Sequence, residues 1–135
     1  MTFEQMLEHV PYEGAYPSRE RAAESVHHVL AALGRRLTGE ERIDLAQCLP
    51  IEAALTLTAQ IPDTEHLTGW GFVKDLAART GATPATARWD TGAVLAVVTS
   101  LAGPDLLARI LHRLPDGYAL LFGHAELRRP EPAAA

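Results

Sequence analysis

Cysteine, signal sequences and long apolar runs are all scarce or missing in this chain of 135 residues. The single cysteine, Cys48, has no partner for an intrachain disulfide, so the fold must hold together without one. The longest apolar run, residues 93–98, is far shorter than the roughly 20 residues of a membrane-spanning helix. The first residues lack the basic start and apolar stretch of a signal peptide. We therefore expect a soluble, cytoplasmic protein with no membrane partner.

The sequence also lacks a segment with a large excess of basic residues. The formal net charge is -5, and residues 1–68 hold 5 basic and 11 acidic side chains against 7 and 6 in the remainder. Binding to nucleic acid is driven largely by Lys and Arg that displace counterions from phosphates. Neither half is suited to that role, so nucleic acid is an unlikely partner.

The apolar residues that are present recur at helical spacing. Ala22, Val26, Val29 and Leu33 follow such a stripe, and Ser18 precedes it as a capping hydroxyl. The pattern and its Gly and Pro breaks predict eight helices: about 2–10, 18–37, 39–49, 51–61, 71–79, 83–101, 104–114 and 118–122. The sequence thus predicts an all-α fold, a compact helical bundle of about eight helices.

The two halves of the chain resemble each other. Val26 pairs with Val94 at an offset of 68, and the Leu49-Pro50 break recurs as Leu114-Pro115 at an offset of 65. We interpret this as a duplication of a four-helix unit, with repeat one at about 1–62 and repeat two at about 69–127. These form a single domain over 1–127, and residues 128–135 are predicted to be a disordered tail.

Two motifs carry a resemblance to a known family. They are the stretch 26–37 followed by Asp44-Leu45-Ala46-Gln47-Cys48-Leu49-Pro50, and the Gly69-Trp70 pair that opens the second half. The chain resembles the bacterial DUF2267 family over roughly residues 1–127, although residues 103–109 depart from its acidic, alanine-rich pattern. The resemblance implies a duplicated all-helical domain and brings no established activity with it.

No combination of residues indicates catalysis, a cofactor or a metal. Glu24 and His27 have the Glu-x-x-His spacing of di-iron bundles, but the equivalent positions in the other half, Gly92 and Leu95, cannot bind metal. We expect His27 and the neighbouring His28 to lie at the surface or edge of the helix.

Two possible nucleophiles are equally isolated. Cys48 is expected to be a half-buried thiol without a reactive environment. Ser25, His28 and Asp44 could be drawn as a hydrolytic triad, but no nucleophile elbow accompanies them. We expect no enzymatic activity.

Two further patterns keep alternatives open. A helix, a turn at Gly81 and a helix from Thr83-Pro84 resemble a helix-turn-helix, which makes a DNA-associated protein the main alternative. Trp70 and Trp89 are expected in the core, but as lining of a cleft they would indicate a small-molecule-binding bundle.

The last helix suggests a contact surface, because it is apolar on nearly every side. Its possible interface residues are Tyr118, Leu121 and Phe122. We expect a non-enzymatic interaction or assembly module with a protein partner, and the specific hypothesis is homodimerisation through this helix.

Overall fold

The computed structural model describes residues 1–14 and 16–123, without the side chains of 11–14. Its helices are α1 (Phe3–Gly14), α2 (Arg19–Gly34), α3 (Gly39–Cys48), α4 (Ile51–Thr58), α5 (Gly69–Thr80), α6 (Pro84–Ala102), α7 (Pro104–Arg113) and α8 (Tyr118–Leu121). No strand occurs in the described ranges. The predicted all-α class is therefore confirmed. The predicted tail, 128–135, lies outside the described residues.

Polar caps start several helices where the sequence predicts them. The Ser18 hydroxyl accepts a hydrogen bond from the Arg21 amide (3.1 Å), and Thr83 caps α6 in the same way. α5 ends at Gly81, whose φ of 73° is the left-handed conformation that glycine adopts without strain. Local sequence thus determines these helix ends.

Three predicted helix ends are wrong. α1 continues through Pro11 to Gly14, although proline removes one i→i−4 hydrogen bond from a helix. α2 ends at Gly34 and not at Leu37, and α4 ends at Thr58 and not at Ile61.

A single arginine accounts for the early end of α4. The guanidinium of Arg42 donates to the carbonyl oxygens of Leu57 (3.2 Å), Thr58 (3.1 Å) and Gln60. Carbonyls in the last turn of a helix have no partner within it. Arg42 on α3 supplies that partner and allows the chain to leave the helix.

α6 is the central helix of the bundle. It packs against α1, α2 and α5, and against the shorter α7 and α8. Val94, Leu95 and Val98 on its inner face are fully buried. Among the described residues, no helix is long and apolar enough to cross a membrane.

An ion-pair cluster joins the two short helices α3 and α7. Glu41 is bound by Arg109 (3.0 Å) and Arg113 (2.7 Å), and Arg109 also binds Asp44 (2.7 Å). These arginines hold the pKa of Glu41 below its ordinary value, mainly through the hydrogen bond from Arg113. Two arginines of α7 thus tie this helix to α3.

Equivalent positions of the two halves share local geometry. Leu49 and Leu114 both end a short helix in extended conformation, with φ and ψ of -94° and 153° against -96° and 150°. The origin of the halves by duplication, and the boundaries given for each, stay a prediction.

Candidate protein-interaction surface

The three predicted interface residues are buried in the chain's own core. Tyr118, Leu121 and Phe122 are each less than 5% exposed. The Tyr118 hydroxyl donates to the carbonyl of Leu67 (2.9 Å), and its ring meets the edge of Phe72 with centroids 5.7 Å apart. The expectation that these side chains form an open surface is wrong.

A close backbone approach explains their burial. The Gly69 amide donates to the Asp116 carbonyl (2.8 Å), and a Cβ at Gly69 would lie 2.5 Å from the carbonyl oxygen of Gly117. Only glycines allow α8 to sit this close to the start of α5. Leu120 alone among the large apolar side chains of α8 is half exposed.

Both tryptophans lie outside the core, contrary to expectation. Trp70 and Trp89 are 59% and 57% exposed. Trp70 falls in the first turn of α5, and Trp89 lies on the outer face of α6, opposite the buried Val94. An open groove of about 430 Å³ next to Trp89 does not include Trp70 in its lining. The two rings therefore do not line that groove together.

The hairpin of α5, Gly81 and α6 has the predicted order of elements. α6 carries one cation, Arg88, whose guanidinium donates to the Leu120 carbonyl (3.4 Å). A recognition helix contacts phosphates and base edges with several basic or amide side chains. The chemistry of this helix offers little to DNA, and a DNA-associated role stays untested.

The residues considered for metal or nucleophilic chemistry are not brought together. His27 binds the Thr56 hydroxyl through Nδ1 (2.7 Å) and faces Glu52 through Nε2 (3.5 Å), whereas Glu24 is exposed. Cys48 is half-buried, as expected. In the part of the chain that the structure describes, no group of three His, Cys, Asp or Glu side chains could hold a metal.

A buried polar cluster that sequence reasoning missed lies between α2 and α6. Asp90 accepts from the Tyr16 hydroxyl (2.7 Å) and from Arg21 (3.0 Å), and Arg21 also donates to Ser25. Burial, and then the hydrogen bond to Asp90, raises the pKa of Tyr16. The hydrogen bond to Asp90 likewise raises the pKa of Arg21. Ser25 is thereby engaged with Arg21 and does not face a histidine.

The polar groups of this cluster satisfy one another. Every buried side-chain nitrogen and oxygen in the described ranges has a hydrogen-bond partner. A satisfied network of this kind fixes the geometry of the elements it joins. It locks the segment before α2 onto the central helix.

A different surface is left open on α3 and α4. Ile51 and Leu55 of α4 are 81% and 65% exposed, and Ile43 of α3 is 57% exposed. The opposite face of α4 packs inward through the fully buried Ala53 and Leu57. Ile51 and Leu55 are one helical turn apart and so lie side by side. We call Ile43, Ile51 and Leu55 the α3–α4 face.

The two helices of this face form an antiparallel hairpin. The break at Leu49-Pro50 reverses the chain, and Arg42 reaches the carbonyls at the end of α4. Ile43, the next residue, therefore lies level with the end of α4. Ile61, just beyond that end, is also strongly exposed. Half of the large apolar side chains that are exposed in the described ranges thus fall within residues 43–61.

The surroundings of the face are acidic. Residues 39–65 contain six acidic side chains and one basic side chain, Arg42. The net charge of this segment, -5, equals that of the whole chain. Arg42 is occupied by backbone carbonyls, Arg109 and Arg113 bind Glu41 and Asp44 from α7, and Arg36 binds Asp63. Glu40 and Glu52 stay exposed, and His27 of α2 lies 3.5 Å from Glu52.

The model of a family described as an uncharacterized conserved protein (DUF2267) matches residues 3–121. No curated protein matches the chain.

Proposed function

Since the chain belongs to the DUF2267 family of uncharacterized conserved proteins, whose description names no activity, we propose that it is a non-enzymatic module that binds another protein. The contact surface in this proposal is the α3–α4 face. The observation that carries it is the exposure of Ile51 and Leu55, 81% and 65%, side by side on one short helix.

Physical chemistry favours a covered state for such a face. Water-exposed apolar area costs about 25 cal/mol per Å², and adjacent large aliphatic side chains on one surface are typical of interaction sites. The core of this chain gains nothing from Ile51 and Leu55, since Ala53 and Leu57 already provide the inward contacts of α4. A partner protein would gain from covering them.

The catalytic alternative has less support. The polar side chains that do converge, around Asp90 and around Glu41, are engaged with one another by hydrogen bonds and ion pairs. Catalysis needs groups aimed at a place where a substrate can sit.

A double substitution tests the proposal. Ile51→Ser with Leu55→Ser removes the apolar surface and leaves the inward face of α4 intact. We expect quantitative mass spectrometry of proteins that co-purify from the native cell to show a defined set lost from this variant. The matched control is Leu120→Ser, which removes a half-exposed leucine outside this face and should retain the set. Identical sets for all three proteins would contradict the proposal.

A further inference from the structure

The shape and charge around the α3–α4 face narrow the kind of partner. Resting on the proposed function, we propose that the face receives one amphipathic helix of another protein, with an apolar stripe flanked by Lys and Arg. Size, charge and helix geometry each bear on this choice.

The face is too small for a stable pair of identical chains. α3 has 10 residues and α4 has 8, which at 1.5 Å per residue gives lengths of about 15 and 12 Å. With a width of about 10 Å per helix, the hairpin offers roughly 300 Å². Stable interfaces bury about 800 Å² on each partner. One docked helix, itself about 10 Å wide, matches the available surface.

Charge also favours an unlike partner. Pairing with a second copy would bring Glu40 and Glu52 of one chain toward the same acidic residues of the other, and like charges at an interface oppose association. No cation of this hairpin is available to offset them, because Arg42 donates to the carbonyls that end α4. Basic side chains beside the partner's apolar stripe supply the missing charge.

The spacing of the exposed apolar side chains on this face is suited to binding a partner helix. Ile51 and Leu55 form a ridge one turn long, and Ile43 stands on the adjacent, antiparallel helix. Apolar anchors at i, i+3, i+4 and i+7 of a partner helix lie on one stripe and pack against such a ridge. Its Lys and Arg at the stripe's edges then come near Glu40 and Glu52.

The test uses designed peptides with the full chain. One helical peptide carries Leu at i, i+3, i+4 and i+7 with Lys and Arg beside them, and its twin has Glu at every basic position. Fluorescence anisotropy at low and high salt measures binding. We expect the basic peptide to bind at least 10-fold more tightly than the acidic twin, with the difference shrinking as salt rises.

Variants locate the binding. Ile51→Ser with Leu55→Ser should weaken binding of the basic peptide at least 10-fold. Glu40→Gln with Glu52→Gln should weaken binding of this peptide several-fold and reduce the salt dependence of its affinity. Leu120→Ser should bind as the unaltered chain does. Circular dichroism and thermal unfolding establish that each variant is folded.

Three results would overturn the inference. Equal binding of the two peptides would refute the charge requirement, and unchanged binding by the Ile51/Leu55 variant would refute the location. Concentration-dependent pairing of the chain that this variant abolishes would assign the face to a second copy. If the co-purification difference holds while the peptides fail, only the partner class is wrong. If both fail, the proposed function is wrong as well.

Discussion

The contact between α2 and α4 makes a sharp prediction at Gly34. A Cβ at this position would collide with the carbonyl oxygen of Leu57 and would lie 3.1 Å from the carbonyl carbon of the same residue. Carbon atoms prefer separations of about 3.5–4.0 Å, so Gly34→Ala requires the helices to part by roughly 0.5–1 Å. Overpacking of this kind costs about 1–3 kcal/mol, and the gain in helix propensity offsets less than about 1 kcal/mol. We expect a net loss of about 1–2 kcal/mol in the free energy of unfolding.

Gly92→Ala is the matched control for this prediction. A Cβ there would meet only the end of the Arg88 side chain, at 2.9 Å, and that exposed guanidinium can swing away. In the middle of α6 this change should stabilise the chain by about 0.5–1 kcal/mol. Urea unfolding followed by circular dichroism measures both variants. A Gly34→Ala variant within about 0.5 kcal/mol of the unaltered chain would refute the described packing of α2 on α4.

Three further predictions concern buried polar groups. Asp90→Ala should cost about 2 kcal/mol in urea unfolding, because it leaves two partly buried donors, Tyr16 and Arg21, without their acceptor. A neutral effect would contradict the locking role. Glu41 has a lowered pKa, so its contribution to the stability of the fold is present above its ordinary pKa and is lost as pH falls. Glu41→Gln should therefore lose less stability in acid than the unaltered chain, measured as the urea midpoint between about pH 3 and pH 6. An unchanged acid profile would count against the ion-pair cluster. Burial raises the pKa of Tyr118 to about 12, so the stability of the fold should decrease as pH rises above about 10. The stability of Tyr118→Phe should decrease less steeply over the same pH range. Equal slopes for the two proteins would contradict the burial of Tyr118.

Local sequence determines much of the fold. The Leu49-Pro50 and Leu114-Pro115 breaks, the cap at Ser18 and the start at Thr83-Pro84 each act within a few residues, and the structure has helix ends at all four. Such signals need no knowledge of distant contacts. The apolar pattern likewise identified Val94, which is fully buried on the inner face of α6.

The contact surface could not be located in the same way. α8 has four residues, and its burial depends on a backbone approach between Gly69 and Gly117, which are 48 positions apart in sequence. Periodicity also cannot tell which of two apolar faces is covered. One signal was available for α4: five of its eight residues, including Ile51 and Leu55, are apolar. A short surface helix buries only one side, so this excess of apolar residues implied that some of them lie on the exposed side.

Photo-crosslinking in intact native cells tests the α3–α4 face directly, with the crosslinking residue placed at Leu55 or, as a control, at Leu120. If the α3–α4 face is the contact surface, a defined protein partner is crosslinked from position 55 at several times the yield from position 120. Equal yields from the two positions, or crosslinks from 120 alone, would show that the contact surface lies elsewhere.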